Sequence, residues 1–198
     1  MKKGISVLAA VAAMVMSLAL AGCGGQSNPD STVNTNDPES QQTEQEPKTN
    51  SRGNLVKHIG DKASVSGDDG KELANWTVTA INLSPQCTES YQAPVKNGHL
   101  VALDVQVNTT PKLHGSMYDP FHIGSGSLWK YIGKDGSLWN GDLLNESTVS
   151  CIPSTEMLPS DIGPGSKAQG KIILDLPQTD GSLVFSPVEG DGWEYPLQ

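Results

Sequence analysis

Basic residues are scarce in this sequence. Among its 198 residues, 13 are Lys or Arg and 22 are Asp or Glu, which gives a formal net charge of −9 at pH 7. Nucleic acid phosphates and anionic lipid headgroups repel a surface of this charge. We therefore expect no nucleic-acid partner, and any membrane attachment has to come from a feature other than a basic patch.

Two common hydrolase motifs and the usual spacing of a helical zinc site are also missing. The sequence has neither a G-x-S-x-G nor an H-E-x-x-H motif. None of the four histidines (His58, His99, His114 and His122) lies four residues from another, as in a helical zinc site. A metal site of His114, His122 and Asp119 across a hairpin is an alternative, but we favour surface histidines. We predict no enzyme activity, no catalytic residue, no metal, and no cofactor apart from a covalent lipid.

The amino terminus has the features of a bacterial lipoprotein signal peptide. Lys2 and Lys3 precede an uncharged run from Ile5 to Leu20, which is shorter than the about 20 residues of a bilayer span. The sequence Leu20-Ala21-Gly22-Cys23 follows and has the form of a lipobox. Ordinary signal peptidase requires a small residue where Leu20 stands, whereas the lipoprotein peptidase accepts a large one. We predict removal of residues 1–22 and acylation of Cys23 with diacylglycerol.

This lipid determines the predicted location. A single acyl chain binds a membrane only marginally, and two are enough for stable attachment. A diacylglyceryl group on Cys23 meets that condition without a basic patch. We therefore predict an extracytoplasmic protein, anchored by its lipid to the outer face of the bacterial plasma membrane.

The residues after the lipobox divide into a tether and a domain. Residues 24–53 are rich in Ser, Thr, Asn, Gln, Pro and acidic residues, and Val33 is their one aliphatic side chain larger than alanine. Such a segment buries too little apolar surface to offset the entropy of ordering. We predict a disordered tether over residues 23–53, beginning at the lipidated Cys23, and one domain over residues 54–198.

The two cysteines of the domain form an even pair. Lipidation of Cys23 leaves Cys87 and Cys151, which are 64 residues apart in an exported chain, where disulfides form and persist. We predict that they are bridged as a structural disulfide, and two unrelated thiols are the alternative. A redox site is not indicated, because the spacing is not C-x-x-C.

The domain alternates short apolar segments with turn-forming pairs. In His99–Asn108 and Ala168–Leu176, apolar residues recur at every second position, which is the period of a half-buried strand. The second segment predicts that Ile172, Leu174 and Leu176 face inward and that Asp175 faces solvent. Further strands are predicted at Trp76–Leu83, Phe121–Ile123, Leu128–Ile132, Ser147–Cys151 and Leu183–Ser186. No long amphipathic helix is indicated, and many short strands joined by Asp-Gly and Asn-Gly turns predict an all-β antiparallel sandwich.

The order of these motifs resembles one protein family. Trp76-Thr77-Val78 is followed by Asn97-Gly98 and His99–Asn108, then by an Asp-Gly hairpin beside aromatic residues, Pro164-Gly165 and Gly170–Pro177. Over about residues 57–187 this order is similar to a domain-of-unknown-function family of secreted proteins and lipoproteins of Gram-positive bacteria. Its members resemble the mycobacterial immunoprotective extracellular antigen. The resemblance implies an immunoglobulin-like β-sandwich, here preceded by a signal peptide and a disordered linker, and it implies no functional residue.

Aromatic residues beside the predicted Gly133–Gly136 turn are the candidate ligand contacts. Trp129 and Tyr131 share one strand face by their period-two spacing, and Trp139 follows the turn. If Ile132 faces the core, Trp129 and Tyr131 lie outward, where such rings stack on sugars or contact a protein. The alternative, which we favour, is that these rings fill the sandwich core.

These observations leave three functions open. We favour a lipid-anchored, non-catalytic module at the cell surface that binds a protein or an envelope polymer. An envelope-active enzyme with an unrecognised site is the first alternative, and a buried carboxylate beside a histidine in a cleft would favour it. A carrier of a small ligand or a metal is the second alternative.

Overall fold

The computed structural model describes residues 49–190 and 192–197. The predicted signal peptide, Cys23 and the predicted tether up to residue 48 lie outside these residues. Besides two short 3-10 helices, Pro111–Leu113 and Gly126–Leu128, the described part contains eight strands and one short α-helix. They are β1 (Leu55–Val56), β2 (Lys62–Ser66), β3 (Glu72–Asn82), β4 (His99–Thr109), β5 (Trp129–Ile132), α1 (Glu146–Val149), β6 (Lys167–Leu176), β7 (Ser182–Phe185) and β8 (Trp193–Pro196).

The strands form two four-stranded sheets. The first has the order β2-β3-β4-β6, and all its neighbouring strands are antiparallel. The second has the order β1-β8-β7-β5, in which β1 runs parallel to β8 and the other pairs are antiparallel. A hydrophobic core with residues from both sheets lies between them. The predicted class, an all-β immunoglobulin-like sandwich, is confirmed.

The period-two pattern of β4 is confirmed in detail. Val101, Leu103, Val105 and Val107 are all buried, as expected for alternate residues of a strand that covers a core. The strand pairs along its length with β3 and β6, so it lies in the middle of the first sheet. Gly70, with φ +73°, turns the chain between β2 and β3, as the preceding aspartate and this glycine predict.

Trp76 occupies the centre of the core. Its ring centroid lies 5.0 Å from that of Trp193 and 5.4 Å from those of Phe121 and Phe185. Its indole Nε1 donates a hydrogen bond of 2.8 Å to the hydroxyl of Tyr195. The two sheets therefore meet on a cluster of aromatic rings, in which the buried polar atom of Trp76 has a partner.

The solvent-facing position predicted for Asp175 is wrong. Asp175 is 0% exposed. Its Oδ2 accepts hydrogen bonds from the backbone nitrogens of Lys96 (2.8 Å) and Asn97 (3.0 Å), from Asn145 Nδ2 (2.9 Å) and from Ser147 Oγ (3.2 Å). The segments that carry these donors cover the outer face of the first sheet at this end, so an alternating position that points away from the core is buried as well.

Two predicted strands are not strands. Ser147–Cys151 overlaps α1, where Asn145 caps the helix by accepting a hydrogen bond from the backbone nitrogen of Ser147 (3.0 Å). Phe121–Ile123 makes a single β-bridge, between Phe121 and Ile162. In the described part of the chain, no helix has the length and apolarity needed to cross a bilayer.

The predicted disulfide between Cys87 and Cys151 is confirmed. The backbone oxygen of Cys151 also accepts hydrogen bonds from the backbone nitrogens of Thr88 (2.7 Å) and Glu89 (3.3 Å). Cys151 is buried with Ala102 of β4 and Ile173 of β6 in a second, smaller apolar cluster. The disulfide therefore joins two loop segments that cover the outer face of the first sheet.

The domain begins before residue 54, the predicted boundary. Asn50 Nδ2 and Asn54 Nδ2 donate hydrogen bonds of 2.6 and 2.8 Å to Oε2 of Glu194, and Arg52 forms an ion pair with the same carboxylate. Glu194 is buried in β8. Residues assigned to the end of the tether thus belong to the domain, because they satisfy a buried carboxylate.

The two buried carboxylates predict a loss of stability in acid. Burial by itself raises the pKa of Glu194, but hydrogen bonds from Arg52, Asn54 and Asn50 outweigh it and hold the pKa below its ordinary value of 4.5. Burial also raises the pKa of Asp175. Hydrogen bonds from Asn145 and from the loop backbone amides outweigh this effect and hold the pKa below its ordinary value of 3.8. Each carboxylate therefore stabilises the fold above its unfolded pKa, and this contribution is lost as the pH falls through its folded pKa.

The urea midpoint measured between pH 7 and pH 3 checks this expectation. Glu194→Gln should lower the free energy of unfolding by roughly 1–3 kcal/mol at pH 7, because the charged hydrogen bonds are lost. It should also make the fall below pH 4.5 shallower than in the wild type. An unchanged pH profile in this variant would contradict a role of the Glu194 charge.

Candidate functional site

The structure separates the three candidate aromatic residues. Trp129 and Tyr131 are each 3% exposed, so their assignment as ligand-contacting rings is wrong, and the favoured core position is confirmed. They pair with Phe185 and Leu183 of β7 and face the core. Ile132 is buried as well, so its burial does not place its strand neighbours outside. Trp139 is 38% exposed, so the favoured core position is wrong for this third ring.

A tight hairpin turn places Trp139 at the surface. The backbone nitrogen of Gly133 donates to the oxygen of Ser137 (2.8 Å), and that of Trp139 donates to the oxygen of Tyr131 (2.9 Å). Asp135 Oδ1 accepts hydrogen bonds from the nitrogen (2.9 Å) and the hydroxyl (2.6 Å) of Ser137. These bonds lower the pKa of Asp135, which is therefore ionised at neutral pH. The turn that carries Trp139 is thus held by its own polar groups.

A cleft of about 400 Å³ lies beside this turn, and we call it the tryptophan cleft. Its lining combines an indole, an aliphatic side chain, one ammonium, two carboxylates and a carboxamide. The residues that supply them are Trp139, Leu138, Lys134, Asp135, Asp180 and Gln178. A cleft with apolar surface and a few polar groups around it is the usual form of a site for a small ligand or a single side chain.

The indole of Trp139 lies close against Gly141. A Cβ atom at Gly141 would lie 2.6 Å from Nε1 of Trp139 and 2.8 Å from its Cε2, closer than real side chains approach. The ring can lie there only because residue 141 has no side chain. Trp139 therefore combines an exposed surface with a close approach to the backbone of Gly141.

Tyr131 contributes its hydroxyl to the cleft while its ring stays in the core. The hydroxyl donates to Asp180 Oδ1 at 3.3 Å. Burial raises the pKa of Tyr131, and the nearby Asp180 carboxylate raises it further. Tyr131 is thus a neutral hydrogen-bond donor at physiological pH, and it fixes the position of one of the two cleft carboxylates.

A second cleft of about 420 Å³, which we call the arginine cleft, lies on the other side of the turn. It is lined by Arg52 and shares Gly133, Lys134, Asp135 and Asp180 with the tryptophan cleft. The two clefts are therefore neighbours along one edge of the domain. Arg52 lies only three positions after Thr49, so this edge is also where the described part of the chain begins.

The outer face of the first sheet carries a third depression, of about 360 Å³. Thr79, Gln106 and Gln169 line it beside the ion pair of Lys171 with Asp104. No aromatic residue lines this depression. Without an aromatic ring to contact a ligand, it is a weaker candidate than the tryptophan cleft.

The histidines do not assemble a metal site. His114 Nδ1 lies 3.4 Å from Asp119 Oδ2, whereas His122 Nδ1 lies 2.9 Å from Asp161 Oδ1. The alternative site of His114, His122 and Asp119 therefore falls into two separate pairs. Among residues 49–190 and 192–197, no group of three or more His, Cys, Asp or Glu side chains is placed to hold a metal ion.

One motif in the sequence, Ser127-Leu128-Trp129-Lys130, has the S-x-x-K spacing of some serine hydrolases. The hydroxyl of Ser127 lies 2.8 Å from that of Ser125. Lys130 follows on the exposed side of the extended strand β5. The spacing alone therefore does not assemble a nucleophile and a base here.

The sequence offered Trp139 as a candidate contact while favouring a core position for it, and it did not indicate the residues around it. Lys134, Leu138, Gln178 and Asp180 come from two separate segments, and the pairs Asp135-Gly136 and Asp180-Gly181 were recognised only as turns. Two turns at the same end of a strand pair could have indicated these residues, because such turns bring their side chains together at one edge of the sheet.

Neither a protein-family model nor a curated protein matches this chain. Two solved structures are similar to it. One is the secreted protein MPT63 of Mycobacterium tuberculosis, 16% identical, with 72% of this chain and 97% of that chain covered and a TM-score of 0.47. The other is an uncharacterized β-sandwich protein of Clostridium difficile 630, 17% identical, with 77% and 100% covered and a TM-score of 0.39. A secreted mycobacterial protein is thus among the similar structures, as the resemblance implied, and identities this low concern the fold alone.

Proposed function

We propose that this chain is an exported lipoprotein that displays a non-catalytic binding module outside the bacterial plasma membrane. The lipobox Leu20–Cys23 supports export and lipidation. The disulfide between Cys87 and Cys151 agrees with an oxidising compartment outside the cytoplasm. The net charge of −9 leaves the lipid on Cys23 as the means of membrane attachment.

The single observation that supports binding is the tryptophan cleft. Trp139 is exposed beside Gly141, and polar side chains surround it. An aromatic side chain has only two rotatable bonds and so loses little entropy when it binds a partner, and such residues contribute much of the energy at binding surfaces. The partner on this proposal is an envelope polymer or a surface protein.

The buried carboxylates do not favour the enzyme alternative. Glu194 is bonded to Arg52, Asn50 and Asn54, and Asp175 is bonded to backbone and amide groups. Neither lines the tryptophan cleft. Both carboxylates therefore have a structural role, because their hydrogen bonds join separate segments of the fold.

Lipidation is tested by Cys23→Ala. Without the thiol, diacylglycerol has no attachment point and the lipoprotein peptidase has no substrate. We expect the uncleaved precursor to accumulate, with no mature lipid-anchored protein, in immunoblots of membrane fractions and in mass spectra of the amino terminus. Cys87→Ala is the control, because it should be processed normally. Normal maturation of Cys23→Ala would refute the lipoprotein assignment.

Binding is tested with the full lipidated chain in detergent. The protein is applied to immobilised envelope polymers and surface proteins of the bacterium that produces it, and retention is compared with that of Trp139→Ala. We expect retention by at least one envelope component and its loss in the variant. Retention by none of them would refute the binding role.

A further inference from the structure

We infer that the tryptophan cleft binds an uncharged oligosaccharide, with one sugar ring stacked on the indole of Trp139. This inference rests on the proposed function, because it names the class of ligand for the same cleft. It follows from the number of aromatic rings in the cleft, from the charges around them, and from the neighbouring arginine cleft.

The number of aromatic rings separates sugars from cationic ligands. Trp139 is the one aromatic residue of the cleft whose ring is exposed, since Tyr131 contributes its hydroxyl and buries its ring. A quaternary ammonium or methylated lysine is bound by a cage of several rings. A sugar needs only one flat surface, against which the C–H groups of one face of the ring pack while its hydroxyls stay wet.

The polar groups around the indole match hydroxyl groups. Lys134 and Gln178 supply donors, and Asp135 and Asp180 supply acceptors. The internal hydrogen bonds to both aspartates use Oδ1. A hydroxyl both donates and accepts, so it can pair with every member of this set.

The charge balance of the cleft disfavours anionic polymers. Two carboxylates, Asp135 and Asp180, face one ammonium, that of Lys134. The chain as a whole also carries a net charge of −9. A phosphate-rich polymer would be repelled both at the cleft and at a distance. An uncharged sugar carries no such penalty.

The arginine cleft indicates a ligand longer than one ring. It adjoins the tryptophan cleft across the turn and shares four lining residues with it. Each cleft alone lies near the lower end of the about 300–1,000 Å³ that ligand sites occupy. A tetrasaccharide should therefore bind more tightly than its monosaccharide, because its further rings reach the second cleft.

The experiment uses the full lipidated chain in detergent and four probes of stated composition. The uncharged probes are the tetramers of β-1,4-linked N-acetylglucosamine and of β-1,4-linked glucose. The charged probes are polyglycerol phosphate and oligolysine. Calorimetric titration should detect binding of at least one uncharged tetramer, tighter than its monosaccharide, and no saturable binding of either charged probe.

Two variants with matched controls locate the site. Trp139→Ala should weaken binding of the tetramer at least about tenfold, as expected for a central aromatic contact. Tyr91→Ala, an exposed aromatic residue outside the cleft, should leave it unchanged. Gly141→Ala should also weaken binding, because its methyl group displaces the indole, whereas Gly163→Ala has open space around the new methyl and should not. Circular dichroism should show that all four variants are folded.

Each outcome bears on the inference. Binding of a charged probe alone, binding that Trp139→Ala does not weaken, or no binding of either uncharged tetramer would overturn it. If an envelope protein is retained through Trp139 while both tetramers fail, the saccharide is wrong and the binding role stands. If no envelope component and no probe is bound, both the saccharide and the binding role are wrong.

Discussion

Replacement of Trp76 by alanine is expected to lower the free energy of unfolding by about 3–5 kcal/mol, the usual cost of deleting a buried tryptophan side chain. Trp76 is almost fully buried and its ring contacts those of Phe121, Phe185 and Trp193. The first of these rings precedes β5, and the other two belong to the second sheet. The deletion therefore leaves a cavity between the sheets, and rigid neighbouring rings fill such a space poorly.

Part of this loss comes from the hydroxyl of Tyr195. It accepts the indole hydrogen bond of Trp76, and burial raises the pKa of Tyr195, so the hydroxyl stays neutral and needs a partner inside the protein. Tyr195→Phe removes the hydroxyl alone and should cost about 1–3 kcal/mol, the usual penalty for an unsatisfied buried polar group.

Urea unfolding followed by tryptophan fluorescence and circular dichroism measures both variants. Trp139→Ala is the matched control, because it deletes the same side chain from a position that is 38% exposed. We expect its loss to be much smaller than that of Trp76→Ala. Equal losses in the two variants would contradict the central place of Trp76 in the core.

Removal of the disulfide is expected to have the second large effect. Cys87 and Cys151 close a loop of 64 residues, for which the chain-entropy model gives about 4 kcal/mol of stabilisation. The double variant Cys87→Ala with Cys151→Ala should lose stability of this order. It should also make the segment around Cys151 more mobile. This segment packs over Ala102 and Ile173, so both side chains should become more exposed to solvent.

Two measurements separate these effects. Urea unfolding gives the global loss, and wild-type protein reduced by a thiol reagent serves as the control, because it loses the bond while keeping both cysteines. Hydrogen exchange should show faster exchange at Thr88 and Glu89, whose nitrogens bond to the backbone oxygen of Cys151. A double variant as stable as the wild type would contradict a stabilising role of the disulfide.

The local pattern of the sequence predicted the long strands and the four-residue strands β5 and β7, but not β1, β2 and β8. In β4 and β6 the apolar residues alternate over about ten positions, so the existence of these strands could be anticipated. The strands β1 and β8 have two and four residues, and they pair with each other. A segment as short as β1 carries too little periodicity to be recognised.

The segment Ser147–Cys151 shows how local signals compete. Valine and threonine in this segment favour a strand, in line with the predicted strand Ser147–Cys151. Asn145, two positions earlier, caps a helix with its side chain, and Thr148 bonds back to the nitrogen of Asn145. A single turn of helix needs only such a cap and a surface to pack against, and this surface is the face of β6.

The sequence by itself predicts the export signal, and it determined the net negative charge, the even pair of cysteines and the alternation of the long strands, because each depends on neighbouring residues or on composition. The tertiary structure alone decided which faces are covered. It buried Trp129 and Tyr131 in the core, it surrounded Asp175 with donors from two distant segments, and it placed the exposed Trp139 against Gly141. Exposure depends on which other segments pack over a residue, and those contacts join positions far apart in the chain.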